Sequence, residues 1–236
     1  VKSLPLLLLC LSCLRAAAGE SPGPVLGAHV LLGQAEGLGQ NPATTLPMDT
    51  QASSSIFIAF NAGYADNAST PADNYGNRWR PLDAGLPYAG YDGAFVVRPY
   101  VALNSRGGPA HRLSVAKPGH PSGELSLSFV EVMHANRVVA LKQNYAAPST
   151  TVASDVIDVD GPAVLLAFWW GDGGVKRMDV APDDGFQVID NFTRLPDESG
   201  VQAVVAWKQV GQAGRYRVRW HVSPAQGAAL WLIAIR

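Results

Sequence analysis

Cysteine is nearly missing from this chain. Its two cysteines, Cys10 and Cys13, both fall in the first eighteen residues. Without that segment there is no disulfide, no thiolate nucleophile and no cysteine metal site. Charge is sparse too, with 18 Lys and Arg against 19 Asp and Glu over 236 residues. A balance so close to neutral excludes bulk electrostatic attraction to nucleic acid. Past residue 14 no apolar run approaches the roughly 20 residues that a membrane-spanning helix needs. Sustained 3.6-residue apolar periodicity is missing, which argues against a helical architecture. Also missing are a nucleophile elbow, a His-Glu-x-x-His helix, a phosphate loop and a dinucleotide fingerprint. The histidines, His29, His111, His120, His134 and His221, show no metal-ligand spacing.

What is present begins with "VKSLPLLLLCLSCLRAAAG". Lys2 supplies a positive start, Leu4 to Leu14 a short apolar stretch and Ala16-Ala17-Ala18 a small-residue cleavage site. Residues 1–18 are therefore expected to be a signal peptide, and the protein to be secreted, periplasmic or extracellular. Removing Lys2 and Arg15 leaves 16 basic against 19 acidic residues, net −3. Residues 19–54, rich in Gly, Pro, Ala, Ser and Thr, read as a leader with a candidate first strand at Val30-Leu31-Leu32.

From residue 55 to 236, short β-like runs alternate with turn clusters, among them "SIFIAFNAGY", "AFVVRPYVALN", "ELSLSFVEVM", "AVLLAFWW" and "ALWLIAIR". This spacing predicts one all-β domain, an antiparallel two-sheet sandwich of jelly-roll type with about ten to twelve strands. Trp169 and Trp170 are adjacent, so in a strand they face opposite ways. One is expected in the core and the other exposed or under a loop.

The run "RYRVRWHV" (215–222) alternates a basic face with an apolar one. With "VVAWKQV" before it and "GQAG" between, it reads as a hairpin pairing Val210 with Arg215 and Trp207 with Val218. Lys208, Arg217, Arg219 and His221 then form a basic face. That face is solvated, an anionic-ligand surface or a subunit interface. Asp158 and Asp160 of "VIDVD" would meet the arginines on a neighbouring strand.

Glu131 continues the apolar parity of Leu125, Leu127 and Phe129. It reads as a buried acid satisfied by loop amides or paired with an arginine, as a catalytic or metal-binding carboxylate, or as a parity switch at a bulge. Asp66, Asp73, Asp172, Asp183 and Asp184 lie in Asx-rich loops that serve as ordinary turns or hold calcium; no other cofactor is implied. Tyr75, Trp79, Tyr88 and Tyr91, with Asn74 and Asn77, offer rings and amides for stacking on sugars, although Trp79 equally suits a core strand.

The order "PADNYGNRWRPL", "VVRPYVALNSRGGPAHRLSV" and "LSLSFVEV" resembles a group of secreted bacterial jelly-roll-like β-sandwich domains, over roughly residues 50 to 235. The resemblance implies that fold, in surface- or matrix-associated proteins, and no assigned catalytic residues. Taken together, these observations point to an exported, non-catalytic module that binds a polysaccharide or another surface ligand. The alternatives are a structural or assembly subunit that self-associates, and a glycoside hydrolase whose carboxylate pair includes Glu131.

Overall fold

A computed structural model describes residues 23–53, 55–67, 69–171, 176–197 and 199–236; the expected signal peptide lies outside them. The first half of the chain forms β1 (Val25–Gln34), β2 (Ala43–Thr44), β3 (Ser55–Tyr64), β4 (Ala72–Asp73), β5 (Trp79–Pro81), β6 (Leu86–Pro87), β7 (Phe95–Ser105), β8 (Leu113–Val115) and β9 (Leu125–Met133). The second half forms β10 (Val138–Ala153), β11 (Ile157–Val159), β12 (Ala163–Gly171), β13 (Asp179–Pro182), β14 (Gln187–Phe192), β15 (Gln202–Val210), β16 (Gly214–Tyr216) and β17 (Arg219–Ile235). The described residues thus hold seventeen strands, not ten to twelve. The surplus consists of pieces of two to four residues that sequence periodicity is too short to register.

All pairings are antiparallel. One six-stranded sheet runs β1-β9-β3-β7-β5, with β6 also on β7. A second runs β10-β17-β12-β15-β14, with β13 also on β17. Two smaller sheets, β2-β8-β4 and β11-β16, complete the all-β, sandwich-like arrangement.

β3 up to Phe60, β12 and the second half of β17 are apolar at both parities because both of their faces are covered. Ile56, Ile58 and Phe60 of β3 share one cluster with Leu166, Phe168 and Trp170 of β12 and Trp231 of β17. Phe60 and Phe168 stack across it at 4.3 Å. On the far side of the first sheet, Phe57, Ala59 and Phe129 pack with Leu113 and Val115 of β8. On the far side of the second, Leu165, Ala167 and Trp169 pack with Ile157, Val159, Val218 and Trp220. Trp169 and Trp170 do face opposite ways, but both are completely buried. The expectation of one ring exposed or under a loop is corrected, because a layer of strands covers the second ring.

That layer comes largely from the sheet's own strands. Near exposed Ala147 and Pro148 the β10–β17 register becomes irregular, and beyond it Thr151–Ala153 pair with Arg219–His221. Trp220 then packs in the same cluster as Leu230 and Leu232 of its own strand. The corner displaces the expected 204–222 hairpin. β15 pairs with β12 and β14, whereas Gly214–Tyr216 pair with β11, placing Asp158 opposite Arg215. Apolar β12 offers two edges to apolar neighbours, and β15 and β17 take them. Trp207 therefore packs on the cluster between the sheets and Trp220 on the outer one.

The β1 and β14 edges meet along one side. His29 Nδ1 lies 2.9 Å from Asp190 Oδ2, and a side chain at Gly33 would collide with the Phe192 ring. The hydrogen bond to Asp190 raises the His29 pKa above its ordinary value; burial opposes this and the Asp190 charge adds to it. A pKa raised by folding contributes stability that is complete below the unfolded value of about 6.5 and is lost as pH rises through the folded value. The stability difference between wild type and Asp190→Asn, from urea unfolding, is expected to be larger at pH 5.5 than at pH 8.5. Equal differences at the two pH values would contradict this seam.

Candidate functional site

Loops from several strands gather where β3 ends and β7 begins, since Tyr64 is the register partner of Phe95 and Gly63 of Leu125. The segment 88–95 is a tight turn, with Tyr88 N donating to Phe95 O and Ala94 N to Tyr91 O. Gly90, Asp92 and Gly93 take positive φ there, a conformation that glycine and short polar residues adopt most readily. The turn lifts Tyr91 to 38% exposure.

Five rings form a continuous row across this end. Centroid separations are 5.9 Å from Tyr88 to Tyr91, 5.4 Å from Tyr91 to Phe95 and 4.6 Å from Phe95 to Tyr64. Tyr64 stacks on His120 at 3.9 Å with the ring planes 9° apart. Tyr88 and Phe95 are buried and anchor the row on Trp170, while Tyr91 and the His120 ring reach the surface.

His120 is held from both sides. Buried Asn67 accepts from the Gly119 and His120 amides at 3.1 and 2.8 Å and donates to His120 O at 2.9 Å. Asp66 Oδ1 lies 3.0 Å from His120 Nδ1. The Tyr64 hydroxyl donates to Glu36 at 3.0 Å, and the same carboxylate oxygen accepts from Glu124 N. Gly123 lies against the Tyr64 ring, where an added Cβ would come within 2.7 Å of the ring and a side chain would not fit. Lys117, fully buried, donates to Gln34 Oε1 at 2.9 Å and Gly123 O at 2.6 Å. Burial lowers its pKa, and nearby Glu36 acts in the opposite direction. Tyr64, Ala65, Asp66, Ala94 and His120 line an open depression of about 330 Å³. Its chemistry is a ring platform beside a carboxylate acceptor.

The other sequence-derived candidates lie elsewhere. Asp73 is the centre of a buried knot. Its Oδ1 accepts from Tyr75 N and Asn77 N at 2.9 and 3.1 Å, and its Oδ2 from Trp79 Nε1 at 2.7 Å. His111 Nε2 lies 3.7 Å from Oδ1, with both side chains fully enclosed. Asn74 and Asn77 brace the same turn on Ala110 O and Arg106 O. The Tyr75 hydroxyl donates to Pro109 O. Trp79 is buried here and Tyr88 in the aromatic row, so of the four aromatic candidates Tyr91 presents the most exposed ring.

Glu131 points inward, 1% exposed. It accepts from Ala28 N at 3.2 Å, Gln51 N at 2.8 Å and Ser55 Oγ at 2.7 Å, clamping the β1 bulge between Leu26 and His29. Gly27 is required beside it, since an added Cβ would lie 2.6 Å from Glu131 Oε2. These bonds match a satisfied structural acid.

The basic face is divided. Lys208 donates to Asp184 O at 2.6 Å, and Arg219 pairs with Asp184 at 2.7 Å and Asp183 at 3.5 Å. His221 lies 3.6 Å from Asp183, and Arg217 is exposed. Asp158 meets Arg215 at 3.6 Å rather than Arg217, and Asp160 meets Arg236. Among the calcium candidates, Asp66, Asp73, Asp183 and Asp184 are engaged as described, and Asp172 lies outside the described residues. Among the described residues no three His, Cys, Asp or Glu side chains group as a metal site.

Tyr64 and His120 carried no signal of their own in the sequence. Tyr64 ends an ordinary strand, and His120 sits in a Pro/Gly turn more than fifty residues away. Comparison of the chain with protein families, with curated proteins and with solved structures gives no match.

Proposed function

We propose that this protein is an exported, non-catalytic module that binds a polysaccharide along the Tyr91–His120 row. The observation that carries the reading is the run of touching rings that surfaces at Tyr91 and His120 beside Asp66 and an open depression. Sugar rings present apolar C–H faces to aromatic side chains and hydroxyl donors to carboxylates. A platform held by Asn67, Glu36 and the Phe95–Trp170 contact is pre-organised, which lowers the entropic cost of binding.

The signal-peptide reading of residues 1–18 and the resemblance to secreted bacterial sandwich domains support export. The two six-stranded sheets sharing one core support a two-sheet, jelly-roll-type reading of the fold. The bonds around Glu131 favour a binding module over a hydrolase, because its described hydrogen bonds all come from protein groups that hold loops together.

The test is sedimentation with insoluble cellulose, chitin and xylan, together with affinity electrophoresis in soluble β-glucans and uronic acid polymers. Retention by at least one polysaccharide is expected. Free passage through the whole panel would overturn the reading.

A further inference from the structure

The second sheet ends in β10, and among the described residues nothing pairs with its outer edge. A long strand with an unpaired edge is a template for another strand. Depressions lie on both sides of this edge. One, of about 480 Å³, is lined by Arg137, Val138, Val139 and the β11 residues Asp158–Asp160. The other, of about 320 Å³, is lined by Arg80, Leu82, Leu103 and Val138–Leu141. Leu82, Leu103, Val138, Val139 and Leu141 are all half-buried. Successive side chains of an added strand point alternately to the two faces of a sheet, so both depressions would receive them.

We infer that this edge is a two-fold contact between two copies of the chain, β10 pairing antiparallel with β10. Charge selects the occupant and the register. Arg80 and Arg137 are exposed and have no ion pair among the described residues. Asp83 sits beside Gln143, which donates to it at 3.1 Å. A register centred on Lys142 would set two lysines opposite each other, which is unfavourable. One centred on Leu141 places Leu141 on its own symmetry mate and Ala140 against Lys142. It also brings Arg80 at one end of the edge toward Asp83 of the second copy at the other. The irregularity between Val138 and Ala140 then confines pairing to a short stretch, as bulges on edges do. A two-fold axis repeats each contact, giving two Arg80–Asp83 pairs around an apolar centre. The aromatic row contributes no residue to either depression, so the contact leaves it accessible, and the inference does not depend on the proposed ligand.

Sedimentation velocity of the protein over 1 to 200 µM is expected to show a monomer–dimer equilibrium with Kd on the order of 10 µM, as suits an interface at the small end of the range. Arg80→Asp and Asp83→Arg should each weaken it at least tenfold, because each places like charges together at both ends. An equimolar mixture of the two variants should recover dimer as a heterodimer, since both ends are then complementary. Circular dichroism establishes that each variant is folded. A wild type that stays monomeric at 200 µM would overturn the inference. So would a dimer indifferent to either substitution, or a mixture of folded variants that fails to recover association.

Discussion

Phe168→Ala is expected to destabilise the protein by about 4 kcal/mol. Phe168 is completely buried in the cluster that both large sheets share. It lies flat on Phe60 of the opposite sheet at 4.3 Å, and Phe60 in turn lies 6.1 Å from Trp231. The site has little freedom to collapse. Each neighbour is fixed by a sheet ladder on both sides, since β12 pairs with β15 and β17 and β3 with β7 and β9. The vacated volume therefore remains as a cavity and adds to the lost transfer free energy. Urea unfolding gives the comparison, with exposed Leu46→Ala as a control expected to change stability by less than about 0.5 kcal/mol. A loss below about 1 kcal/mol for Phe168→Ala would mean that the two sheets are not joined through this cluster.

Asp73→Ala is expected to cost about 3 kcal/mol. Its carboxylate receives two backbone amides and the Trp79 indole, and its removal leaves those donors enclosed without an acceptor. The effect has a characteristic pH dependence. Burial by itself would raise the Asp73 pKa, but the interaction with His111 and the bonds from the Asn77 amide and Trp79 outweigh it, lowering the pKa to about 2 from 3.8. A carboxylate whose pKa falls on folding contributes stability that is full above the unfolded value and is lost as pH falls through the folded value. That portion amounts to about 2 kcal/mol. The gap between wild type and Asp73→Ala should thus be widest above pH 4 and narrow toward pH 2. A gap independent of pH from 5 to 2 would contradict a charged Asp73 at the centre of the knot.

The legible and illegible parts of the fold separate along physical lines. Strand identity was legible because period-two alternation and turn residues are local, as in "ELSLSFVEV". The inward direction of Glu131 followed from parity alone. Of its three donors only the Gln51 amide is of the expected loop kind, whereas the β1 amide of Ala28 and the Ser55 hydroxyl come from strands that local sequence does not bring together. Pairing was not legible where a corner intervened. The 215–222 run looks like one strand, but Val218 is tied through Ser154 at 3.0 and 3.1 Å, and β16 and β17 end in different sheets. Local sequence does not encode which neighbour wins an edge. Burial on both faces was equally hidden: alternation assigns one of Trp169 and Trp170 to a loop or to solvent, whereas a folded-back strand covers Trp169. The site follows the same division. Tyr91 stood out in its Gly/Asp-rich turn. The Tyr64–His120 stack joins residues 56 positions apart, and no spacing rule reaches that far.

The proposal that a polysaccharide lies along the exposed rings is tested most directly by the affinity of the Tyr91→Ala/His120→Ala double variant for whichever polysaccharide retains the wild type. Isothermal titration should show at least a tenfold loss of affinity, at unchanged unfolding midpoint, while Tyr75→Ala on the Asp73 knot binds as wild type does. Wild-type affinity in the folded double variant would place the ligand elsewhere and contradict the account.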